Sequence, residues 1–432
     1  MNPDGASDLN PGKNQIVFIS VRKLIQISID IPKLFKYSCS MKESMITRAL
    51  GEKVVSLAGM FPIISLTGPR QSGKTTLTRA LFPDYAYVNL ENLDDRLAAE
   101  EDPLRFLRPH SSTGIIVDEA QKVPPLFSYL QGIVDESGEM GKYILTGSQN
   151  FLLLEKITQS LAGRVAVCNL MPLGLTELIN ADLLDEDLDR VMFTGGYPVL
   201  YDRHIPVTDY FPSYIQTYIE RDVRGISNIG NLSTFQRFVK LCAGRVGQLL
   251  NLSSLGTELG INYKTVRSWI SILEASYIVF LLQPHHKNFN KRVVKQPKLY
   301  FFDTGLLCAL LDIKSSEQVA SHYLRGNIFE SFIISEHIKS RFHAGRRSNA
   351  FFWRNSTGHE IDLILEAGAQ LWAVEIKSGE TLNEIFFKEL RYFKSLSSAP
   401  ESNFFLVYGG KRDFPRKHGQ VLGWKSISKL PH

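Results

Sequence analysis

The chain has 432 residues, of which 44% are hydrophobic and 22% are charged, so it can form two or three domains of ordinary soluble globular composition. Its formal net charge of +5 is mild for this length, so charge alone does not imply a nucleic-acid partner. The sequence lacks a run of about 18 uncharged apolar residues, which argues against a membrane span, and we expect a cytoplasmic protein.

Residues 1–40 differ in character from the rest of the chain. The apolar stretch "IVFISVRKLIQISIDIPKLF" is interrupted by Arg22, Lys23, Asp30 and Lys33 and lacks a small-residue cleavage site, so it makes a poor signal peptide. Met41 opens "MKESMITRAL", which has the pattern of an amphipathic helix. We therefore expect residues 1–40 to be an extension upstream of the first domain.

The four cysteines, Cys39, Cys168, Cys242 and Cys308, lie far apart and form no C-x-x-C pair. This spacing indicates neither a zinc site nor a disulfide framework. It predicts buried free thiols in a reducing compartment.

A glycine-rich loop follows the short apolar run "FPIISLT" at residues 61–67, which predicts a buried parallel strand. The next residues match G-x-x-x-x-G-K-T, and Leu77, Ala80 and Leu81 then repeat at helical spacing. Strand, loop and helix in this order predict a phosphate-binding loop, in which backbone N–H groups and the helix N-terminus surround an anion. In this interpretation Lys74 reaches the β- and γ-phosphates of ATP, and the Thr75 hydroxyl binds Mg²⁺. The predicted nucleotide-binding residues are Gly68, Pro69, Arg70, Gln71, Ser72, Gly73, Lys74, Thr75 and Thr76.

An apolar strand that ends in two acids comes some forty residues later, in "GIIVDEAQ". Asp118 is the predicted second Mg²⁺ group. Glu119 is the predicted catalytic base, which polarises the attacking water and makes the protein a hydrolase. The alternative is a strand that ends in a solvated acidic turn.

A third strand, in "KYILTGSQN", is expected to lie between the other two. A polar residue at its end then faces the γ-phosphate; Ser148 is the first choice and Gln149 the second, although loop polarity explains both residues equally well. In the following "SLAGR", Arg164 is the candidate that senses or stabilises the γ-phosphate, from the same or a neighbouring subunit. The alternative for Arg164 is a local surface ion pair.

Helical segments separate these strands, and "YAYVNLE" (Tyr85 to Glu91) predicts a further strand. The pattern predicts an α/β P-loop domain over residues 41–172, with a parallel sheet and helices on both faces. Residues 173–245 have mostly helical periodicity. Within them, Arg221 and Arg224 are candidates to reach a neighbouring nucleotide, and a solvated helix face is the simpler interpretation.

Residues 246–312 have the pattern of a winged helix-turn-helix. Ser253 is the predicted cap of a helix that ends near Gly260, and a turn at residues 262–264 leads to a second helix over Thr265–Ala275. Strands are predicted in "YIVFLLQP" and "LYFFD". The second helix offers groups for DNA phosphates and base edges: Tyr263, Lys264, Thr265, Arg267 and Ser268. The alternative is a structural joint that contacts protein.

Residues 313–432 contain a nuclease-like constellation. "GNIFESFIISEHI" predicts an amphipathic helix that carries Glu330, and "FFWRNSTGHEIDLILE" predicts a hairpin in which Asp362 opens the second strand. In "LWAVEIKSG", Glu375 and Lys377 lie on one face of a strand. Glu330, Asp362 and Glu375 are the candidate Mg²⁺ ligands, and Lys377 is the candidate catalytic lysine that orients water against a phosphodiester. The alternative is a degenerate or purely binding module.

Taken together, the motifs "GPRQSGKTTL", "VDEAQKVP", "LTGSQ", "SLAGR", "GGYP", "YIERDV", "YFFDTGLL", "GNIFE", "EIDLIL" and "VEIKSG" resemble those of a family of predicted bacterial and archaeal AAA+-like ATPases. Proteins of that family carry a C-terminal domain of unknown function of the restriction-endonuclease type. The resemblance runs from about Met41 to the C-terminus. It implies ATP binding through Gly68 to Thr76, with Asp118 and Glu119 as the acidic pair, and a PD-(D/E)XK-like module with Asp362, Glu375 and Lys377.

These features predict a Mg²⁺-dependent ATPase whose nucleotide state positions a winged helix and a nuclease-like domain on DNA. One rival is a slow ATP-dependent switch whose C-terminal half binds protein partners. Another is an ATP-gated, metal-dependent DNA endonuclease. Assembly into an oligomer is compatible with all three hypotheses.

Overall fold

The structure, a computed structural model, describes residues 46–148, 161–223, 231–285, 294–397 and 399–431, with only the backbone described for residues 220–223. The predictions for residues 1–40, Cys39, Gln149 and Arg224 lie outside these residues, as does the side chain of Arg221. The strands are β1 (Ile63–Thr67), β2 (Ala86–Asn89), β3 (Ile115–Asp118), β4 (Tyr143–Gly147), β5 (Val165–Asn169), β6 (Val279–Leu282), β7 (Lys298–Phe301), β8 (Ala350–Arg354), β9 (Glu360–Ala367), β10 (Gln370–Lys377), β11 (Phe404–Tyr408), β12 (Phe414–Arg416) and β13 (Gly419–Gly423).

Among the described residues up to Asp202, the α-helices are α1 (Leu50–Ala58), α2 (Lys74–Leu81), α3 (Leu93–Glu101), α4 (Pro103–Leu107), α5 (Pro125–Ser137), α6 (Leu175–Asn180), α7 (Leu188–Thr194) and α8 (Pro198–Asp202). Those that follow are α9 (Val207–Tyr214), α10 (Leu232–Ala243), α11 (Leu252–Leu259), α12 (Tyr263–Ala275), α13 (Thr304–Leu310), α14 (Ser316–Ser321), α15 (Arg325–His343) and α16 (Lys388–Leu396). A π-helix, Ile215–Val223, continues α9.

The first five strands form one parallel sheet in the order β2-β3-β4-β1-β5. Strand β4 therefore separates β1, which leads into the glycine-rich loop, from β3, which ends in the acidic pair. Helices α1 and α2 cover one face of this sheet, and α3 and α5 cover the other. The predicted α/β architecture with helices on both faces is confirmed.

The middle of the chain is helical up to α12 and then forms the two-stranded antiparallel sheet β6–β7. The Gly260 end of α11 is as predicted, with Gly260 in the left-handed conformation at φ 68°. The predicted cap of α11 is wrong, because Asn251 rather than Ser253 accepts the capping hydrogen bond. Helix α12 begins at Tyr263, two residues before the predicted start, because Asn262 caps it. The assignment of a winged helix stays a prediction.

The C-terminal strands form a mixed sheet in the order β12-β13-β11-β10-β9-β8. Strands β8, β9 and β10 pair in antiparallel fashion, and α16 then connects β10 to the parallel strand β11. Helix α16 is preceded by a 3₁₀ turn at Glu384–Phe387.

Helix α15 lies between the middle region and the C-terminal sheet. Residues Ser331 to Lys339 of this helix are all buried, so the prediction of an amphipathic helix is wrong. A helix with one exposed face would alternate buried and exposed residues at the helical period. The largest core contains residues between Met171 and Leu430, including α15 and one face of the C-terminal sheet.

Two further predictions, on the cysteines and on membrane spans, can be compared with the described part of the chain. Cys168, Cys242 and Cys308 are free and buried, as predicted. None of the helices in the described ranges is both long and apolar enough to cross a membrane.

Candidate functional site

The glycine-rich loop joins the end of β1 to the start of α2 and depends on two glycines. Gly68 has φ 153°, and a Cβ there would lie 2.1 Å from the carbonyl oxygen of Leu170. Gly73 caps α2 with φ 93°, a conformation that favours glycine. The loop therefore passes close to the end of β5, and its backbone continues directly into the N-terminus of an eight-residue helix.

Lys74 is buried, and its ammonium contacts the loop that it belongs to. Its Nζ donates to the carbonyl oxygens of Gly68 at 3.0 Å and Pro69 at 2.8 Å. Burial lowers the pKa of Lys74 to about 8, although Glu119 and Asp118 oppose the shift. These two carbonyl contacts are ones that phosphate oxygens can replace, because an ammonium offers three donors that rotate freely.

Asp118, the last residue of β3, accepts hydrogen bonds from three side-chain hydroxyls and from the backbone N–H of Glu119. The Thr75 hydroxyl donates to its Oδ2 at 2.6 Å, and the Tyr87 hydroxyl on β2 donates to the same oxygen at 3.0 Å. The Thr146 hydroxyl donates to Oδ1. Thr75 and Asp118, which come from separate elements, are therefore in direct contact. Hydroxyl and carboxylate oxygens suit a hard cation, and the shared Mg²⁺ site stays a prediction.

Glu119 follows in the left-handed conformation, with φ 53°. Its Oε2 accepts hydrogen bonds from the Gln121 side chain, from the Ser148 hydroxyl at 3.2 Å and, more weakly, from the Ser148 backbone N–H at 3.4 Å. Non-glycine residues rarely adopt this backbone conformation, and such strain is common at functional sites. The structure therefore brings together the two side chains that were predicted from separate strand ends.

Arg164 does not belong to this group, and a role for it at the nucleotide site of its own chain is wrong. It precedes β5, and Val165 pairs with Ile63 at the amino end of β1, whereas the glycine-rich loop leaves the carboxyl end. Five residues of strand, roughly 16 Å, separate the two ends. The Arg164 guanidinium instead makes two hydrogen bonds with Asp135, at 2.6 and 2.7 Å, which is the surface ion pair considered as the alternative. A role toward a neighbouring subunit stays a prediction.

Residues far away in the sequence also hold the loop. Arg48 donates to the carbonyl oxygen of Ser72 at 2.6 Å and to Glu177 at 3.0 Å. The Tyr210 hydroxyl donates to the Gln71 side chain at 2.7 Å. The loop is therefore held by one residue that precedes the strands of the ATPase sheet in the sequence, Arg48, and by one that follows them, Tyr210.

The C-terminal candidates meet at the β9–β10 pair. Lys377 lies 3.0 Å from Oδ2 of Asp362 and 2.7 Å from Oε2 of Glu375. The backbone N–H of Ile376 also donates to Oδ2 of Asp362, at 2.9 Å. Three side chains of the predicted nuclease-like set are therefore in direct contact.

Glu330 on α15 joins this group, together with residues that the sequence did not single out. Glu330, Glu360 and Asp362 each offer an oxygen within 4.8 Å of the other two, a geometry able to hold a cation. The Lys298 ammonium lies 3.0 Å from Oε1 of Glu330 and also contacts Glu360. We call Glu330, Glu360, Asp362 and Glu375 the carboxylate cluster.

The electrostatics of the carboxylate cluster are uneven. Burial and the neighbouring Asp362 raise the pKa of Glu375 well above its usual value. Burial alone would also raise the pKa of Asp362, but Lys377 and Lys298 outweigh it and hold that pKa below its usual value. Two carboxylates with opposite shifts at one site are a frequent feature of functional centres.

Models of known protein families match three successive segments of the chain. Residues 60–179 match the model of an AAA domain, residues 185–317 match a domain of unknown function (DUF8612), and residues 325–427 match another domain of unknown function (DUF4143). The uncharacterized proteins Rv2008c of Mycobacterium tuberculosis and Mb2031c of Mycobacterium bovis are each 30% identical to this chain over 361 residues, which cover 82% of this chain and 78% of theirs.

Solved structures give weaker likenesses. The Walker-type ATPase PABY2304 of Pyrococcus abyssi has a TM-score of 0.39 and 16% identity, with coverage of 62% of this chain and 97% of that chain. RuvB T158V of Thermotoga maritima has a TM-score of 0.28 and 14% identity, with coverage of 54% and 88%. These scores are too low to support an inference about this chain.

Proposed function

The chain belongs to the family of the mycobacterial proteins Rv2008c and Mb2031c and contains an AAA-type P-loop ATPase domain, and from this premise we propose that it is a Mg²⁺-dependent ATP hydrolase. The observation that carries the proposal is the contact between Glu119 and Ser148 beside the Thr75–Asp118 pair. A carboxylate held next to the predicted metal ligands is what separates a hydrolase from a protein that only binds nucleotide.

In the proposed reaction, separate residues bind the phosphates, hold the metal and activate the water. The backbone of Gly68 to Thr76 and the Lys74 ammonium bind the β- and γ-phosphates. Thr75 and Asp118 would hold Mg²⁺, which would supply positive charge to neutralise the phosphates. Glu119 orients a water for attack on the γ-phosphorus and accepts its proton, while Ser148 fixes the direction of the Glu119 carboxylate.

Phosphate release by the purified full-length protein tests this proposal. Release is expected with ATP and Mg²⁺, and it should disappear with EDTA and in Lys74→Ala, because the Lys74 ammonium is the group assigned to the β- and γ-phosphates. Lys122→Ala removes an exposed lysine that follows the acidic pair, and it should behave like the wild type. A Lys74→Ala protein that hydrolyses ATP at the wild-type rate would overturn the assignment.

We propose DNA as the partner on which the nucleotide state acts. Supporting observations are the exposed side chains of Tyr263, Lys264, Arg267 and Ser268 on α12, and the order α11, α12, β6, β7 that a winged helix requires. If α12 contacts phosphates, one DNA form should stimulate hydrolysis, and Lys264→Ala with Arg267→Ala should weaken DNA binding and flatten its salt dependence. Hydrolysis that is indifferent to duplex, branched and single-stranded DNA would favour the switch with protein partners.

A second activity, metal-dependent cleavage of a phosphodiester, is favoured by one specific observation. Asp362, Glu375 and Lys377 are in direct contact on β9 and β10, with Glu330 nearby on α15. The carboxylate oxygens fit Mg²⁺ or Mn²⁺, and Lys377 is placed to orient water or an attacked phosphate. Cleavage should require a divalent cation and disappear in Asp362→Ala and Lys377→Ala, but not in the exposed control Lys388→Ala. Cleavage that survives both substitutions would contradict this activity.

A further inference from the structure

Lys298 reaches the carboxylate cluster from a different part of the chain. It is the first residue of β7 and lies in the segment matched to DUF8612, whereas the cluster lies in the segment matched to DUF4143. Lys298 is only 3% exposed, and its ammonium lies 5.6 Å from the centre of the Phe352 ring. Such a buried ammonium needs partners in place of water, and the cluster supplies them.

Two lysines contact the carboxylate cluster, and each contacts two of its carboxylates. Lys298 contacts Glu330 and Glu360, and Lys377 contacts Asp362 and Glu375. Arg354 adds one more cation, 2.9 Å from Oε2 of Glu360. The four carboxylates are therefore already largely balanced by cations of the chain itself.

Glu330 and Glu360 are also two of the three residues whose oxygens lie within 4.8 Å of one another. An ammonium and a divalent cation compete for carboxylate oxygens because both need them at close range. Lys298 thus sits against the groups that a metal ion needs. Within the described residues, Oε1 of Glu375 has no hydrogen-bond partner although Glu375 is 1% exposed, so the site retains one buried acceptor that a cation could use.

We propose that Lys298 is the resident counter-ion of the carboxylate cluster and that a divalent cation binds there by displacing it from Glu330 and Glu360. This inference rests on the proposed metal-dependent activity of the C-terminal region and adds a residue from the middle region that sets cation affinity. The simpler role, a lysine that only ties β7 to α15 and β9, makes a different prediction. Removing a purely structural lysine lowers stability whether or not metal is present.

The test measures Mn²⁺ binding to the nucleotide-free, full-length protein by titration calorimetry. Lys298→Met, which keeps the length of the side chain and removes its charge, should bind Mn²⁺ at least about tenfold more tightly than the wild type, because a competitor is gone. Lys298→Arg keeps the charge and should stay close to the wild type. Lys295→Met, an exposed lysine just before β7, serves as the matched control.

Three further measurements make the result decisive. Adding Asp362→Asn to Lys298→Met should abolish the tight binding and so locate it. Mn²⁺ should restore a lowered thermal midpoint of Lys298→Met, because it replaces the missing charge. In the wild type, Mn²⁺ should also raise the rate at which Lys298 is methylated by formaldehyde and a borohydride, since displacement exposes the amine.

The outcomes separate the two proposals. If the wild type binds Mn²⁺ through Asp362 but Lys298→Met binds no more tightly, the metal site stands and the role of Lys298 is wrong. If neither protein binds Mn²⁺, the counter-ion proposal is wrong. It is also wrong if Mn²⁺ leaves the rate of Lys298 methylation in the wild type unchanged. Phosphate release from ATP is measured separately and does not depend on either result.

Discussion

The Ser148 hydroxyl donates a hydrogen bond to Oε2 of Glu119 across 3.2 Å, and the two residues follow neighbouring parallel strands. The Gln121 side chain donates to the same oxygen. A carboxylate with two such donors on one oxygen leaves its other oxygen available to accept a hydrogen bond from a water molecule. Positioning of this kind affects turnover more than substrate binding.

The first prediction concerns Ser148→Ala. It should leave the ATP dissociation constant within about twofold of the wild type and lower kcat by about tenfold, the value of one lost hydrogen bond at a catalytic group. Calorimetry and steady-state phosphate release measure the two quantities. Ser137→Ala changes an exposed serine at the end of α5 and should alter neither. An unchanged kcat in Ser148→Ala would show that Ser148 does not position the base.

Tyr87 provides the second prediction, because its hydroxyl donates to Oδ2 of Asp118 at 3.0 Å. Burial and the nearby Asp118 raise the pKa of Tyr87 to about 12, so the hydroxyl stays a donor at any working pH. Tyr87→Phe should raise the Mg²⁺ concentration for half-maximal hydrolysis by about tenfold, since partners of metal ligands tune metal affinity. Nucleotide affinity in EDTA should not change. Tyr85→Phe, on the residue just before β2, is the control, and equal effects of the two substitutions would contradict the assignment.

Asp303 provides a prediction about stability. It is 2% exposed and accepts from the backbone N–H of Gly196 at 2.7 Å and of Leu306 at 2.9 Å, so it joins the "GGYP" turn to the start of α13. Asp303→Ala leaves two buried donors without partners and should cost roughly 2 to 4 kcal/mol, seen as a lower thermal midpoint. Asp312→Asn breaks an exposed ion pair with Lys240, keeps a residue type that tolerates the left-handed backbone there (φ 58°), and should cost less than about 1 kcal/mol. Equal shifts would show that Asp303 has no special role.

The buried His343 side chain leads to a prediction of how the free energy of unfolding depends on pH. It is 4% exposed, and burial lowers its pKa to about 4, although Glu177 opposes the shift. The unfolded chain, with a histidine pKa near 6.5, binds a proton between pH 6.5 and 4 that the folded chain does not. The free energy of unfolding should therefore fall as the pH is lowered through this window, by up to roughly 3 kcal/mol from this group.

His343→Asn should remove this part of the acid sensitivity while retaining a donor near Glu177. Thermal midpoints of the variant and the wild type, measured between pH 7.5 and 4.5, should converge as the pH falls. His204→Asn changes an exposed histidine and should run parallel to the wild type at every pH. A constant difference between His343→Asn and the wild type would mean that His343 does not titrate in this window.

The nucleotide site was predictable from the sequence because its parts are short and lie at strand ends. Gly68 to Thr76 and Ser148 each follow an apolar strand, Asp118 is the last residue of one, and the carboxyl ends of parallel strands meet at one edge of the sheet. Arg164 was misplaced because no strand was predicted from the sequence over Val165–Asn169, so the position of Arg164 before a parallel strand was not recognised. Register along a strand depends on pairing, and Val165 pairs with Ile63 at the opposite edge.

The C-terminal site was predictable only in part. Glu360 lies two residues before Asp362 on β9, and period-two alternation in a strand was a signal that could have found it. Lys298 gave no such signal, because it reaches Glu330 from a separate element, 32 residues away in the sequence. Arg48 and Glu177 are 129 residues apart, and only tertiary packing brings them to the loop.

The most direct test of the central claim is Glu119→Gln, which keeps the shape of the side chain and removes its capacity to accept a proton. ATP binding and phosphate release should be measured on the same preparation with Mg²⁺. We expect a dissociation constant close to that of the wild type and a turnover reduced by at least about a hundredfold, the usual contribution of a general base. Turnover at the wild-type rate would contradict the proposed hydrolytic site, because Glu119 is the group on which that site depends.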